Sequence, residues 1–428
     1  MTKLYSDQKV LLIYLTVRSL ESTGPLTEFR ELIVSAGREI VNEICLSRSD
    51  VHAASFLGQG QIERVKEECI NSNEGISEVI INHALTSVQV RNLSALFSCR
   101  VLDRTDLILD IFAKRARTFE GQLQVELTQL QHQATRLVQK SGHYDQQRGG
   151  IGVRGGAGET GLEVDRRVLR QRITTLKKRL VHIRDSRALG RQRRQRSQQP
   201  TIALVGYTNA GKSTLFNALS DSSAYADDRL FATLDPTLRR AVIPGFGDIV
   251  LADTVGFIQQ LPPQLIDAFR ATLEETAQAD LLLHVIDGAS EDYLLRIEQV
   301  NEVLAEIGAE HIPQILVFNK VDLLDNLASS VLKPDYQGAW VRLSAVKKTG
   351  FDVLYEKILY AIGGEAVDTV LRIPMKRAEV RAELHRLRTV LSERYDEDWA
   401  WIHVKGSYAV LNHALDRYGL SLIQCKQY

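Results

Sequence analysis

The run GYTNAGKS, Gly206–Ser213, stands between the apolar stretch TIALV and the helix-like TLFNALS. A GxxxxGK[ST] turn that follows a strand and opens a helix is suited to cradling phosphates. Gly206 and Gly211 let the backbone N–H groups of Tyr207, Thr208, Asn209 and Ala210 face an anion. The helix N-terminus that follows, with Thr214 in its first turn, favours negative charge. Lys212 is expected to reach the β- and γ-phosphates, and Ser213 to ligate Mg²⁺.

Three further motifs follow in order. VLADTVG ends an apolar run with Asp253, Thr254, Val255 and Gly256, setting a carboxylate on the Mg²⁺ side and a glycine N–H against the γ-phosphate. ILVFNKVD supplies Asn319, Lys320 and Asp322 after another apolar strand. A carboxylate at Asp322 can accept from guanine N1–H and N2–H₂, a pair of donors that adenine lacks. Leaving that carboxylate unpaired is costly, so GTP is expected over ATP. LSAVK, with Ser344, Ala345, Val346 and Lys347, resembles the last guanine-contacting loop.

Between the first two motifs lies FATLDPT, with Phe231, Ala232 and Thr233 at its head. Thr233 is expected to ligate Mg²⁺ and bond the γ-phosphate in the GTP state; Thr237 competes for that role. Lys212, Thr233 and Gly256 are thus the candidate catalytic set. Phe257 stands where Ras-like enzymes place a water-orienting glutamine. A phenyl ring cannot orient water by hydrogen bonding, so slow intrinsic hydrolysis accelerated by a large partner is expected.

Positioning these groups requires strands that end at loops. The expected class is a multidomain α/β protein, with a mainly parallel sheet in the nucleotide domain, residues 200–363. Ahead of it, residues 1–107 alternate strand candidates (Val10–Val17, Ile40–Leu46, Val79–Ile81, Val101–Leu102) with helical stretches near 26–36, 61–70 and 86–97. This reads as a small α/β domain. His52 and His83 are isolated there and are expected to be solvated or capping. Residues 364–428 read as a small C-terminal α/β appendage with a helix near 376–393. Trp399 and Trp401 alternate, as on a half-buried strand.

Residues 108–199 change character. Leu123, Leu127, Leu130, Ala134 and Leu137 keep the spacing of a coiled-coil seam, and so do Leu162, Leu169, Ile173, Leu176, Leu180 and Ile183, with Arg166 interrupting. The glycine-rich RGGIGVRGGAG between them cannot be helical, so an antiparallel helical hairpin is expected, near 118–140 and 160–196. The whole chain has 428 residues, with 53 Lys or Arg and 53 Asp or Glu, and is formally neutral. Residues 141–200 nevertheless hold 15 basic and 5 acidic residues, which leaves 38 against 48 elsewhere. Three basic residues to each acidic one beside a glycine loop suits a phosphate backbone, and RNA contact is expected there.

A composition 44% hydrophobic and 25% charged excludes wholesale disorder. Cys45, Cys69, Cys99 and Cys425 lie far apart without a CxxC pair, which argues against a zinc site or a disulfide framework. The longest apolar runs fall short of the ~20 residues a membrane span needs. A cytoplasmic protein with reduced thiols is expected.

GYTNAGKSTLFN, FATLDPTLRR, ADTVGFI and NKVD closely resemble the HflX GTPases of the Obg–HflX group. The resemblance extends through Arg104–Gln131, Arg148–Thr160 and Leu162–Arg167, covers about residues 1–363, and is weak beyond. It implies an N-terminal domain and hairpin that bind the 50S ribosomal subunit near the peptidyl-transferase centre, and a GTP form that splits stalled or idle 70S ribosomes under stress. It assigns Arg148, Gly149, Gly150, Arg154, Gly155 and Gly158 to a loop touching 23S rRNA. The chain departs from the family pattern at Gly156–Ala157, where one proline is common, and at Gly161, where glutamine is. Some members unwind RNA with ATP, but residues 1–107 hold no second P-loop. Two other readings stay open: a ribosome-assembly or RNA-modification GTPase, and a homodimer scaffold joined through the seams. The glycine loop is long enough to reverse the chain, which favours a monomer.

Overall fold

The computed structural model describes residues 8–20, 24–71, 75–141, 161–196, 199–220, 231, 237–258, 273, 275–324, 338–364 and 366–425. The chain forms two compact units. The first holds the described residues up to Ala188 together with Phe231 and Ile258, and the second holds the rest.

In the first unit, β1 (Lys9–Val17), β2 (Glu39–Arg48), β3 (Glu78–Ile81) and β4 (Arg100–Leu102) form a parallel sheet in the order β2-β1-β3-β4. Leu11, Ile13, Val79 and Ile81 are fully buried in its core, as a parallel sheet covered by helices requires. Those helices are α1 (Leu26–Ser35), α2 (Gln59–Asn71), α3 (Ser87–Phe97) and α4 (Arg104–Arg115). Thr86 caps α3 by accepting from Gln89 N–H, and Asp103 caps α4 by accepting from Asp106 N–H, each in a reciprocal capping box. α4 runs across the domain boundary expected at 107. Its buried Leu107, Ile108, Leu109, Ile111 and Phe112 give no one-faced pattern to read. His83 is not solvated as expected: it is buried, with Nε2 2.7 Å from the Leu15 carbonyl.

Helices α5 (Phe119–Ser141) and α6 (Gly161–Arg196) make the hairpin. Leu123, Leu127, Leu130, Leu176 and Leu180 share one apolar cluster with Leu169, Ile173 and Ile183, so the two heptad series meet within one chain. Arg136 of α5 donates to Asp103 (2.9 Å) and pairs with Asp106 (2.8 Å), tying the hairpin to the N-terminus of α4.

The second unit centres on a six-stranded sheet ordered β10-β9-β8-β5-β7-β6. Its strands are β5 (Thr201–Val205), β6 (Thr237–Ile243), β7 (Gly247–Asp253), β8 (Leu281–Asp287), β9 (Gln314–Asn319) and β10 (Ala339–Arg342). All pair in parallel except β6 with β7. Helices α7 (Lys212–Leu219), α8 (Tyr293–Glu306) and α9 (Phe351–Gly363) belong to the same unit.

A three-stranded antiparallel sheet follows, with β11 (Ala366–Pro374), β12 (Val390–Tyr395) and β13 (Trp399–Ser407) in the order β11-β13-β12. With it come α10 (Ala378–Arg386), α11 (Tyr408–Asp416) and α12 (Leu422–Cys425). The helix expected to reach 393 stops at Arg386. Arg388 turns to a left-handed φ of 53°, and the alternating VLSERY then pairs with β13 as a strand. Ser407 N–H donates to Gly245 O, joining this sheet to the β6–β7 turn. Ala400, Ile402 and Val404 fill its core, so Trp399 and Trp401 lie on the opposite face, with the Arg372 guanidinium 3.9 and 5.4 Å from their ring centres.

Candidate functional site

The four sequence motifs lie at the C-terminal ends of β5, β7, β9 and β10, where open α/β sheets place their ligands. Gly206 leaves β5 at φ 146°, and a β-carbon there would lie 2.2 Å from the Val285 carbonyl of β8. Only glycine lets the loop lie this close to the strand. Asn209 (φ 60°) and Gly211 (φ 89°) complete the turn into α7.

Lys212 is buried, and its Nζ donates to Gly206 O (2.9 Å) and Tyr207 O (2.7 Å). Burial pushes its ammonium down to about 8 against the pull of Asp253, and Lys320 adds repulsion. Ser213 Oγ donates to Asp253 Oδ2 at 3.0 Å. A hydroxyl from the first turn of α7 and a carboxylate oxygen at the end of β7 are hard donors of the kind Mg²⁺ takes. Thr254 Oγ1 donates to Leu204 O, fastening β7 to β5.

On the base side, Asn319 Nδ2 donates to Ala210 O (3.0 Å), and Asn319 Oδ1 accepts from Ala345 N–H (3.0 Å). One buried amide thus joins the phosphate loop to the 344–347 loop. Lys320 stands in the left-handed region and pairs with Asp287 at 2.9 Å. The Ser344 hydroxyl lowers the Asp322 carboxyl below its usual range, with smaller help from Lys347 and Lys320, so Asp322 is an anion ready to accept. Val346 is mostly exposed beside it.

Val255 and Gly256 follow β7 after Thr254. Phe257 N–H donates to Gly206 O (3.1 Å), and Thr208 N–H, expected to face the phosphates, instead donates to Phe257 O (2.7 Å), a parallel bridge that buries Phe257. Phe231 belongs to the first unit, where its ring packs edge-on against Phe112 with centroids 4.7 Å apart. Ala232, Thr233 and the loop residues Arg148, Gly149, Gly150, Arg154, Gly155 and Gly158 lie outside the described residues.

Sequence reasoning missed two features here. The Arg296 guanidinium sits 5.0 Å from the Tyr207 ring centre. His284, in the otherwise apolar LLLHVI, is buried in the sheet. Burial and the Lys212 charge push its imidazole down to about 4, with Gln314 opposing. A lone histidine in a buried strand was the only available signal.

Three family models match in succession: a GTP-binding GTPase N-terminal region over residues 24–113, a GTP-binding GTPase middle region over 115–194, and a 50S ribosome-binding GTPase over 201–320. The chain is 46% identical to GTPase HflX of Escherichia coli K12, over 92% of both chains. It is 42% identical to GTPase HflX of Caldanaerobacter subterraneus subsp. tengcongensis, over 93% of this chain and 91% of that one. It is also similar to the crystal structure of a GTP-binding protein from Sulfolobus solfataricus in complex with GDP, at 25% identity and TM-score 0.44, over 82% of this chain and 98% of that one. At 46% identity across nearly its full length, with every nucleotide motif in place, the chain belongs to the HflX GTPase family.

Proposed function

We propose that this GTPase binds the 50S ribosomal subunit and, in its GTP state, dissociates 70S ribosomes, with hydrolysis releasing it. One observation carries the partner. Pairing of α5 with α6 consumes the apolar seam and leaves Arg167, Arg170, Arg172, Lys177, Lys178 and Arg179 exposed along α6. Of these, Arg172 pairs with Glu126. Such a row fits the phosphates of structured RNA and leads to the glycine-rich loop that the family resemblance assigns to rRNA. The matched model's description, a 50S ribosome-binding GTPase, supports the same partner. Among the described residues, Leu123, Leu127, Leu130, Leu176 and Leu180 of the two seams are buried against each other within one chain, which favours a monomer over a homodimer scaffold. No helix among the described residues is long and apolar enough to cross a membrane.

In the site, the loop 206–211 holds the phosphates and Asp322 the guanine, with Ser344, Ala345 and Val346 closing over the base. Ser213 and Thr233 would hold Mg²⁺, and the ion would supply neutralisation of charge on the β- and γ-phosphates. Gly256 N–H and Thr233 report the γ-phosphate to the segments that follow them. Phe257 has no hydrogen-bonding side chain, so turnover without a partner is slow.

The test is the GTPase rate with and without purified 50S subunits, over a range of salt. Stimulation of many fold, weakening as salt rises, supports the reading. A rate indifferent to 50S refutes it. Arg167→Gln with Arg170→Gln should leave GDP binding intact and reduce the stimulation.

A further inference from the structure

The bridge between the phosphate loop and Phe257 removes one candidate for the hydrolytic step and introduces another. Phe257 is buried, and both of its backbone groups are engaged with Gly206 and Thr208. The same bridge draws Thr208 against Gly256. A β-carbon on Gly256 would stand 2.8 Å from Thr208 Cγ2, 3.0 Å from Lys212 Nζ and 3.0 Å from Thr208 Cα. Thr208, with its methyl group nearest, Lys212 and Gly256 therefore crowd one point beside the phosphate loop.

Thr208 is 4% exposed, and its Oγ1 has no hydrogen-bond partner among the described residues. Its backbone N–H is already used by Phe257 O. A buried hydroxyl without a partner is costly, and valine would fill the same volume without that cost. A hydroxyl here is therefore accounted for by a partner that arrives with the substrate.

We propose that the Thr208 hydroxyl is a catalytic group of the GTPase reaction, bridging the attacking water and a γ-phosphate oxygen. A threonine hydroxyl donates one hydrogen bond and accepts others, so it can do both at once. It accepts from the water and donates to the phosphate oxygen, which holds the water oxygen in line with the γ-phosphorus. The water oxygen forms the new bond to phosphorus. The bond from phosphorus to the bridging oxygen breaks, and its electron pair leaves with GDP. One proton of the water stays on the attacking oxygen and the other ends on a γ-phosphate oxygen, giving inorganic phosphate. The threonine gains and loses no proton. This is the orienting role that the Phe257 ring cannot fill, supplied from the phosphate loop instead of from the segment after Gly256.

The proposal rests on the nucleotide site described above, and GDP affinity measures that site separately. The full chain is compared as Thr208→Val and Thr208→Ser, reading single-turnover GTP hydrolysis, GDP affinity, and affinity for GDP with aluminium fluoride as a transition-state analogue. Thr208→Val should slow hydrolysis about 10²-fold and weaken the aluminium fluoride complex in proportion, with GDP affinity unchanged. Thr208→Ser should retain most of the rate. Wild-type turnover in Thr208→Val overturns the proposal. So does equal loss in both variants, or loss of rate that only follows loss of GDP affinity, since either would mark Thr208 as a packing residue. Failure of every form, wild type included, to bind GDP would instead overturn the reading of the site.

Discussion

Lys212 enters binding with its ammonium already depressed to about 8. Nucleotide phosphates stabilise the charged form, so its pKa must rise on binding, and a proton is taken up wherever the free lysine is neutral. GDP affinity should be flat near pH 7 and fall severalfold as pH climbs through about 8, measured by fluorescence titration; a flat profile to pH 9 contradicts the assignment. His284 works in the other direction. Its folded pKa of about 4 lies below the ordinary ~6.5, so the unfolded chain binds the extra proton between those values. Its contribution is complete above pH ~6.5 and is lost as pH falls toward 4, by up to about 3 kcal/mol. Chemical denaturation across that window should show a shallower slope in His284→Gln than in wild type; identical slopes would remove the histidine from the account. Asp322→Asn should weaken GTP by about two orders of magnitude. It should favour a xanthine nucleotide, whose C2 oxygen accepts where guanine donates, and competition binding reads both. The motif residues were legible because their spacing is set by phosphates and base. Thr208 Oγ1 and His284 were not, since only the paired strands show which groups end up buried beside Lys212.

At the scale of elements, the hairpin was legible because a 4,3 spacing persists only where helices pair along a seam. What anchors it was not. Arg136 meets Asp103 and Asp106, two carboxylates at the N-terminus of α4 that lie thirty or more positions away in sequence. Burial, then Asp103, raises the Asp106 carboxyl to about 6, while Arg136 and His132 pull it back. Arg136→Met should therefore cost about 3 kcal/mol, because the buried Asp103 loses its cationic partner. Hydrogen exchange should loosen first where α5 meets α4, and an unchanged protection pattern would show that the pair is not what holds them. α4 itself was hidden, since it buries residues on every side, although the DRTD capping box from Asp103 to Asp106 was there to be read. The end of α10 was misplaced for a related reason. Leu387 and Val390 extend the helical spacing, and the left-handed turn at Arg388 that breaks it leaves no mark in composition.

For the whole molecule, formal neutrality conceals a basic segment of 15 against 5 and an acidic remainder of 38 against 48. The division fits the proposal that the basic hairpin meets the phosphates of RNA. Ribosome splitting is read in sucrose-gradient profiles of 70S particles. With wild-type protein and GTP, or with a non-hydrolysable analogue, the 70S peak should fall and free 30S and 50S should rise. Lys212→Ala should leave the profile as it is without protein. A 70S peak untouched by wild-type protein and GTP, at concentrations that saturate 50S binding, would contradict the account.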